Sequence, residues 1–374
     1  MFKQKVLVLD PIPFRGGSKV ATENIINLID KNANDVFVMT RDDASWQLSG
    51  VQRVSFWVPA LLVQSTQGIP YFLRHVILMM NIMLFVLRYG RANKMIGASG
   101  PGVDLSLYLY KALFDVCVVQ LIHGPVAASR TIGRCLAAAD HVFYLQNCRR
   151  SLLLALGKVD DAKHLSDDKF SVMLNGIAKH QWPSPRIAQQ PAIFWAASLL
   201  KWKGLETLLS ALTEFDDARR PMTHICYIRP EDMALPVSLA PVAIPHVVWH
   251  ESPPELDKFR KRSSIFVSTS VNEPFGLSIL EALAAGLCVL IPRDGAYWDQ
   301  VLIDGVSCIK YLPGEPEDLH VKLQALLAEP SDIMNIGDKG REIAGCYQAE
   351  TCYRNIVKYV EKSVIHGDTL ESSG

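Results

Sequence analysis

"NEPFGLSILEALAAG", residues 272–286, holds two carboxylates, Glu273 and Glu281, separated by seven residues that include a Pro and a Gly. From Leu277 to Gly286, Glu281 is the only charge in a run of Leu, Ile and Ala. Pro274 suits the first turn of a helix, where its missing N–H costs nothing. Gly276 lets a backbone approach closely without a Cβ in the way. The helix is therefore expected to start near Phe275, with its unpaired N–H groups and positive dipole end forming an anion site. Glu273 would stand just before that end and Glu281 about two turns inside it. A carboxylate accepts hydrogen bonds from two adjacent hydroxyls, so a ribose or hexose diol would satisfy a Glu in an otherwise dry place. A solvated helix face would carry the same two residues, and the flanking sequence has to decide between them.

Those flanks alternate short apolar runs with helical patterns. "KVLVLD", "DVFVMT", "KMIGAS", "VCVVQLIHG", "HVFYLQ" and "FSVMLNGI" read as buried strands, with helical spacing between them. After residues 178–191, which hold three Pro and read as a linker, the rhythm resumes with "AIFWAAS", "HICYI", "HVVWH", "IFVSTS" and "CVLIP". Alternation of this kind means right-handed crossovers and a parallel sheet with helices on both faces. The expected architecture is α/β, two Rossmann-like doubly wound domains whose carboxyl-edge crevices face one cleft. The domains would be residues 1–180 and 181–346. A last amphipathic helix, 347–365, would pack back on the first domain, ahead of a frayed tail at 366–374.

The chain has 374 residues, enough for two separate cores. Its formal net charge of +0 argues against a dedicated nucleic-acid binder, and we expect no nucleic acid among its partners. Through Pro185 there are 20 Lys+Arg against 13 Asp+Glu, and from Arg186 onward 18 against 25. Halves of opposite sign suggest halves that handle different partners. The 8 Cys include no CxxC pair and no zinc-type spacing, so reduced thiols and no metal are expected. "MFKQKVLVLDPIPF" has too short an apolar run for a signal peptide. Residues 44–103 contain no Asp or Glu, yet carry Arg53, Arg74, Arg88, Arg91 and Lys94. Within them, "VILMMNIMLFVL", residues 76–87, is too short to span a bilayer. Arg74, Asn81 and Arg88 recur every seven residues as one polar stripe on an apolar helix. Either that helix packs between neighbours, or it rests with Arg74, Arg88, Arg91 and Lys94 on an anionic membrane or acceptor surface.

With "EPFG", the second Glu, "EALAAG" and the strand "CVLIP" in order, the opening stretch resembles the E-x7-E motif of the family-four retaining glycosyltransferases, which have the GT-B fold. Other segments are similar in the same order: "FRGG" to the glycine loop after the first strand, "IHGP" to the His-bearing loop, "MLNGI" to the turn closing the first domain, and "AASLLKWKGLETLLSAL" to the phosphate-binding segment. "GAYWDQVLIDGVSC" resembles the segment after the donor-site strand.

The resemblance implies a role for each matching residue. Glu281 would hold the nucleotide ribose. Glu273, with the backbone of Phe275, Gly276 and Leu277, would hold the donor sugar's hydroxyls. Lys203 would meet the diphosphate and offset charge developing on the leaving group. His123 would lie beside the donor sugar, though a core histidine would read the same way. Gly16 and Gly17 would let the first-domain loop approach the phosphates. The sequence departs from the family pattern in three places. Ser198 stands where the family has an Arg five positions before the phosphate Lys, with Lys201 nearby as a substitute. Ala178 replaces an Asp, and Asp299 and Gln300 stand where a Glu is common.

The resemblance thus implies a retaining, metal-independent hexosyltransferase with no cofactor. Its donor would be a nucleotide-diphosphate sugar and its acceptor a glycan or lipid-linked molecule, in cell-envelope or surface polysaccharide assembly. It would work in the cytoplasm or at the cytoplasmic membrane face. An epimerase or phosphorylase on the same fold would want a further acid/base or cofactor site. Ser198 leaves open a catalytically silent partner that keeps the fold and nucleotide-sugar binding.

Overall fold

The computed structural model describes residues 3–13, 16–42, 45–159, 168–188, 190–230 and 235–362. The tail expected at 366–374, the end of the 347–365 helix, and Phe14 and Arg15 of the glycine loop lie outside them. The chain divides into two compact units. Unit 1 holds residues 1–144, 148–172 and the chain from 353 on, and unit 2 holds 145–147 and 173–352.

Unit 1 is built on β1 (Gln4–Asp10), β2 (Asn34–Thr40), β3 (Val51–Val54), β4 (Lys94–Gly97), β5 (Cys117–Ile122), β6 (His141–Leu145) and β7 (Phe170–Met173). Their order across the sheet is β3-β2-β1-β4-β5-β6-β7, parallel from β3 through β6. Parallel strands covered on both faces need apolar side chains in both directions. Val6, Leu7, Val8 and Leu9 accordingly have no exposed surface. The helix Arg354–Glu361 packs on this unit through Ile356 and Val360. Its end is fixed by Gln4, whose amide donates to the Val360 carbonyl at 2.7 Å, and by Glu361, which accepts from the Asp30 N–H at 2.8 Å.

Unit 2 repeats the plan with β8 (Ala192–Ser198), β9 (Met222–Ile228), β10 (Val247–Glu251), β11 (Ile265–Val267), β12 (Cys288–Pro292) and β13 (Ile309–Tyr311). The order is β10-β9-β8-β11-β12-β13, all parallel. The chain leaves β8 toward one side of the sheet and β11 toward the other. The strand order therefore reverses between β8 and β11, where open α/β sheets bind ligands at their carboxyl ends. Ile193, Ile225, Ile265 and Leu290 fill the core from four adjacent strands. The segment read as a linker, residues 178–191, opens with the 3₁₀ turn Lys179–Gln181 and is fastened to unit 2 through Arg186. Arg186 donates to the Gly286 carbonyl and pairs with Asp338 at 3.1 Å.

The helix Gly68–Tyr89 departs from the reading that packs it between neighbours, and Arg74, Asn81 and Arg88 do not stay together as one stripe. Only His75, Leu78, Ile82 and Phe85 are buried, so it does not pack between neighbours. Nor does the stripe face outward as a unit. Arg74 donates to the Val63 carbonyl at 2.9 Å, and the Asn81 amide bonds both the N–H and the carbonyl of Trp57. Lys94, expected on the same surface, is interior instead. It sits in β4 and donates to the carbonyls of Tyr359 and Lys362, because a buried ammonium needs acceptors and the end of a helix supplies them.

Candidate active site

Lys203 and Glu273 come from the loops that follow β8 and β11, the two strands at the switch point of unit 2. After β8 the chain makes one 3₁₀ turn, Lys201–Lys203, and enters the helix Leu205–Thr213 through Gly204. Gly204 has φ +69, and a Cβ there would overlap the Thr269 carbonyl oxygen. Only glycine takes this backbone at no steric cost. The turn is held from the other strand as well. Thr269 donates its hydroxyl to the Lys203 carbonyl at 2.6 Å and accepts from the Trp195 indole at 3.0 Å. Lys203 Nζ then reaches Glu273 Oε2 at 2.5 Å and lies 3.9 Å from the centre of the Trp202 ring. Both members of the pair are mostly shielded, with 17% and 15% of their side-chain surface exposed. A cation over an aromatic face and a carboxylate together hold one ammonium in place.

The loop that carries Glu273 is clamped at both ends. Asn272, at φ +56, donates its N–H to Asp294 Oδ2 at 2.5 Å. Phe275 is buried against Tyr297 and Trp298, with ring centres 5.0 and 5.4 Å away. The helix follows at Leu277–Ala284, two residues later than its expected start near Phe275. Gly276, at φ +80, is its N-cap and no side chain caps it. Burying the Phe275 ring keeps that residue outside the helix, and the left-handed glycine makes the corner. The first-turn N–H groups of a helix have no partners within it, so this end offers donors to an anion.

Glu281 lies inside that helix, and its partner there is an arginine. Arg260, from the helix Leu256–Lys261, donates one Nη to Glu281 Oε2 and the other to Asp257 at 2.9 Å. The Arg260 side chain is buried, whereas 27% of the Glu281 side chain remains exposed. One of four cations in "KFRKR" thus answers the lone Glu of the apolar helix. Nothing in that run distinguishes Arg260 from its neighbours. Thr269 and Asp294 were equally missed, for they act through contacts distant in sequence, and Trp202 meets its neighbour Lys203 only through the fold of the turn.

Ser198 is half-buried at the end of β8. Lys201 does not turn toward the Lys203–Glu273 pair. It bonds Glu206 at 2.6 Å on the exposed side of the turn. Asp299 accepts from the Gly295 N–H at 2.7 Å and pairs with Lys310 at 2.8 Å.

The remaining candidates share the carboxyl edge of unit 1. Gly16 caps the helix Gly17–Leu28 in an extended conformation, φ −110, so neither glycine is used for a left-handed turn. His123, after β5, meets that helix through Thr22 Oγ1 at 3.3 Å from its Nε2. Its Nδ1 is buried without a partner. Burial holds the imidazole down to about 4, so the ring is neutral at pH 7.

Residues 177–343 match the family of glycosyl transferases group 1. The group 1 segment contains Ser198, Lys203, Arg260, Glu273 and Glu281. An uncharacterized glycosyltransferase of Methanocaldococcus jannaschii, MJ1178, is 23% identical over 161 residues, which are 43% of this chain and 45% of that protein. The chain thus spans less than half the length of this curated relative. The crystal structure of Anabaena Alr3699/HepE in complex with UDP and glucose superimposes with a TM-score of 0.73 at 15% identity, covering 96% of this chain and 100% of that one. WaaG, a glycosyltransferase involved in lipopolysaccharide biosynthesis, gives 0.69 at 14%, covering 95% and 99%. The fold is GT-B, two Rossmann-like domains of which the group 1 segment is the second.

Proposed function

We propose that the chain is a retaining glycosyltransferase that moves a hexose from a nucleotide-diphosphate sugar to a glycan or lipid-linked acceptor. The observation that carries this reading is the Lys203–Glu273 pair at the carboxyl ends of β8 and β11, beside an uncapped helix start. A diphosphate needs a cation and backbone donors, and a sugar needs a carboxylate for its hydroxyls. All three meet there. A relative of the same fold binds UDP and glucose, which supports this donor class.

In this reading donor binding exchanges partners. Lys203 leaves Glu273 for the diphosphate, and Glu273 takes hydroxyls of the sugar together with the N–H groups near Phe275, Gly276 and Leu277. Glu281, steadied by Arg260, accepts from the ribose hydroxyls. The bond from the anomeric carbon to the phosphate oxygen breaks as negative charge grows on that oxygen, which Lys203 and the helix end stabilise. The phosphate oxygen takes the acceptor hydroxyl's proton on the face where the new bond forms, so configuration is retained. Lys203 and the helix end take the place of a metal cation. We place the reaction on the cytoplasmic side and in cell-envelope polysaccharide assembly, the latter supported by the likeness to WaaG, a glycosyltransferase involved in lipopolysaccharide biosynthesis.

Ser198 motivates the second reading, a silent protein that binds nucleotide sugars without turnover, because a guanidinium donor to the diphosphate is missing there. Losing one such donor costs about 2–4 kcal/mol of transition-state stabilisation. A thermal-shift panel of nucleotide diphosphates and their sugars, followed by assay of nucleotide diphosphate release, separates the two. A ligand at about 100 times its Kd adds about 2.7 kcal/mol of stability. Release abolished by Glu273→Gln supports the transferase. Binding with no release from any sugar of the panel supports the silent protein, and no binding at all defeats both.

A further inference from the structure

The outer side of the helix Gly68–Tyr89 is apolar from end to end. Ile69, Leu73, Val76, Met80, Met83 and Leu87 are all exposed and follow one another at steps of four and three residues, which places them on one face. Of the eleven exposed residues in this helix, Arg88 alone has a polar side chain. Phe72 and Leu84 widen the face, and Leu61 and Trp57 extend it from the preceding segment, with 94% and 68% exposure. Trp57 is held there by the two backbone bonds from Asn81. Monomeric proteins rarely expose a contiguous apolar surface of this size without a partner for it.

We infer that this face docks on an anionic lipid surface, with the helix lying flat in the interface. Two facts select that occupant. Residues 44–103 contain no Asp or Glu, and Arg88 and Arg91 stand exposed at the end of the face, so its charge complements acidic headgroups. A second copy would bring the same cations together with no acid in this stretch to pair them, and the face is broader than a single helix–helix seam. The helix lies flat because its reverse side is fixed to unit 1. Phe85 packs edge-on against Phe37 of β2 at 5.1 Å, and Arg74 holds Val63. At 22 residues it is about 33 Å long, which its length and composition alone would allow to span a bilayer, but one of its sides already belongs to the protein. Trp57 is suited to the headgroup level, where its ring and N–H are both satisfied. The inference does not rest on the transferase reading, and its test has no catalytic readout.

Flotation of the full chain with vesicles of phosphatidylcholine alone, or mixed with phosphatidylglycerol, tests it. The protein should float with mixed vesicles, less with the neutral ones, and less again at high salt. Leu84→Gln with Leu87→Gln, and separately Arg88→Glu with Arg91→Glu, should each weaken partitioning by about 10-fold or more. All four side chains are exposed, so unchanged thermal unfolding should accompany the loss. Failure of the unaltered chain to float, or undiminished flotation of the Leu pair, overturns the inference. So does a dimer in sedimentation that the Leu pair dissociates while flotation is untouched.

Discussion

Lys203 and Glu273 are seventy residues apart in sequence and 2.5 Å apart in space, joined across the reversal point of the unit 2 sheet. The pair satisfies each charge with the other, so its members should depend on one another for stability. In a double-mutant cycle with Lys203→Met and Glu273→Gln, we expect a coupling of about 0.5–3 kcal/mol. Urea denaturation of the four proteins measures it. Additive single effects would mean that the two groups act independently.

Gly204 sets the turn from which Lys203 projects. Gly204→Ala adds a side chain at φ +69 and forces it against the Thr269 carbonyl. The left-handed backbone alone costs about 1–2 kcal/mol, and the overlap adds to it. We expect a loss of about 2–4 kcal/mol from denaturant unfolding. A change under half a kcal/mol would show that the turn is free to relax.

Arg260 neutralises Glu281 and Asp257 from a buried position. Arg260→Met keeps most of the packing and strands both carboxylates. Full burial would make that cost about 3–5 kcal/mol, but both carboxylates reach solvent, so about 1–3 kcal/mol is expected. Adding Glu281→Gln should recover part of the loss. If the double variant is no more stable than Arg260→Met alone, the Arg260–Glu281 pair is not the source of the cost.

Asp104, buried in unit 1, accepts hydrogen bonds from the Ser99 N–H at 3.0 Å and the Gln120 amide at 2.8 Å. Burial pushes its carboxyl up to about 8, despite those bonds. The folded value lies above the ordinary one of 3.8, so the stability linked to this group is fully present below about pH 4 and is lost as pH rises toward 8. Asp104→Asn keeps the shape and cannot ionise. Relative to the unaltered chain, the Asn variant should gain stability with rising pH, by up to about 1.4 kcal/mol per pH unit between 4 and 8. Other groups that titrate over the same range, including buried His75 and His123, act in both proteins and cancel in the difference. Parallel denaturation curves at pH 5 and pH 7.5 give the slope directly, and a difference that stays flat would place the Asp104 carboxyl near its ordinary value.

Much of the fold was legible because parallel strands and their helices write themselves locally. "KVLVLD" and "CVLIP" are apolar on successive residues, which only a strand covered on both faces requires. The helix of the opening stretch was legible to within two residues. Its exact corner was not, since it depends on Phe275 packing against Tyr297 and Trp298, more than twenty residues away. The candidate site was legible as a pair of carboxylates and a lysine, but their partners were not. Lys201 met Glu206, Lys94 turned inward to two carbonyls, and Glu281 met an arginine from a different helix.

Two alternating α/β halves, a carboxylate-bearing loop at Glu273 and an apolar helix without acids are written in the order of residues alone. Periodicity and turn chemistry act over a few residues and are read directly from the order of side chains. That Glu273 closes on Lys203, and that the apolar helix turns its hydrophobic side to the outside, follows from the folded chain. Spacing defines the faces of a helix or the ends of a strand, but what each face meets is set by chain folded back from far away in sequence.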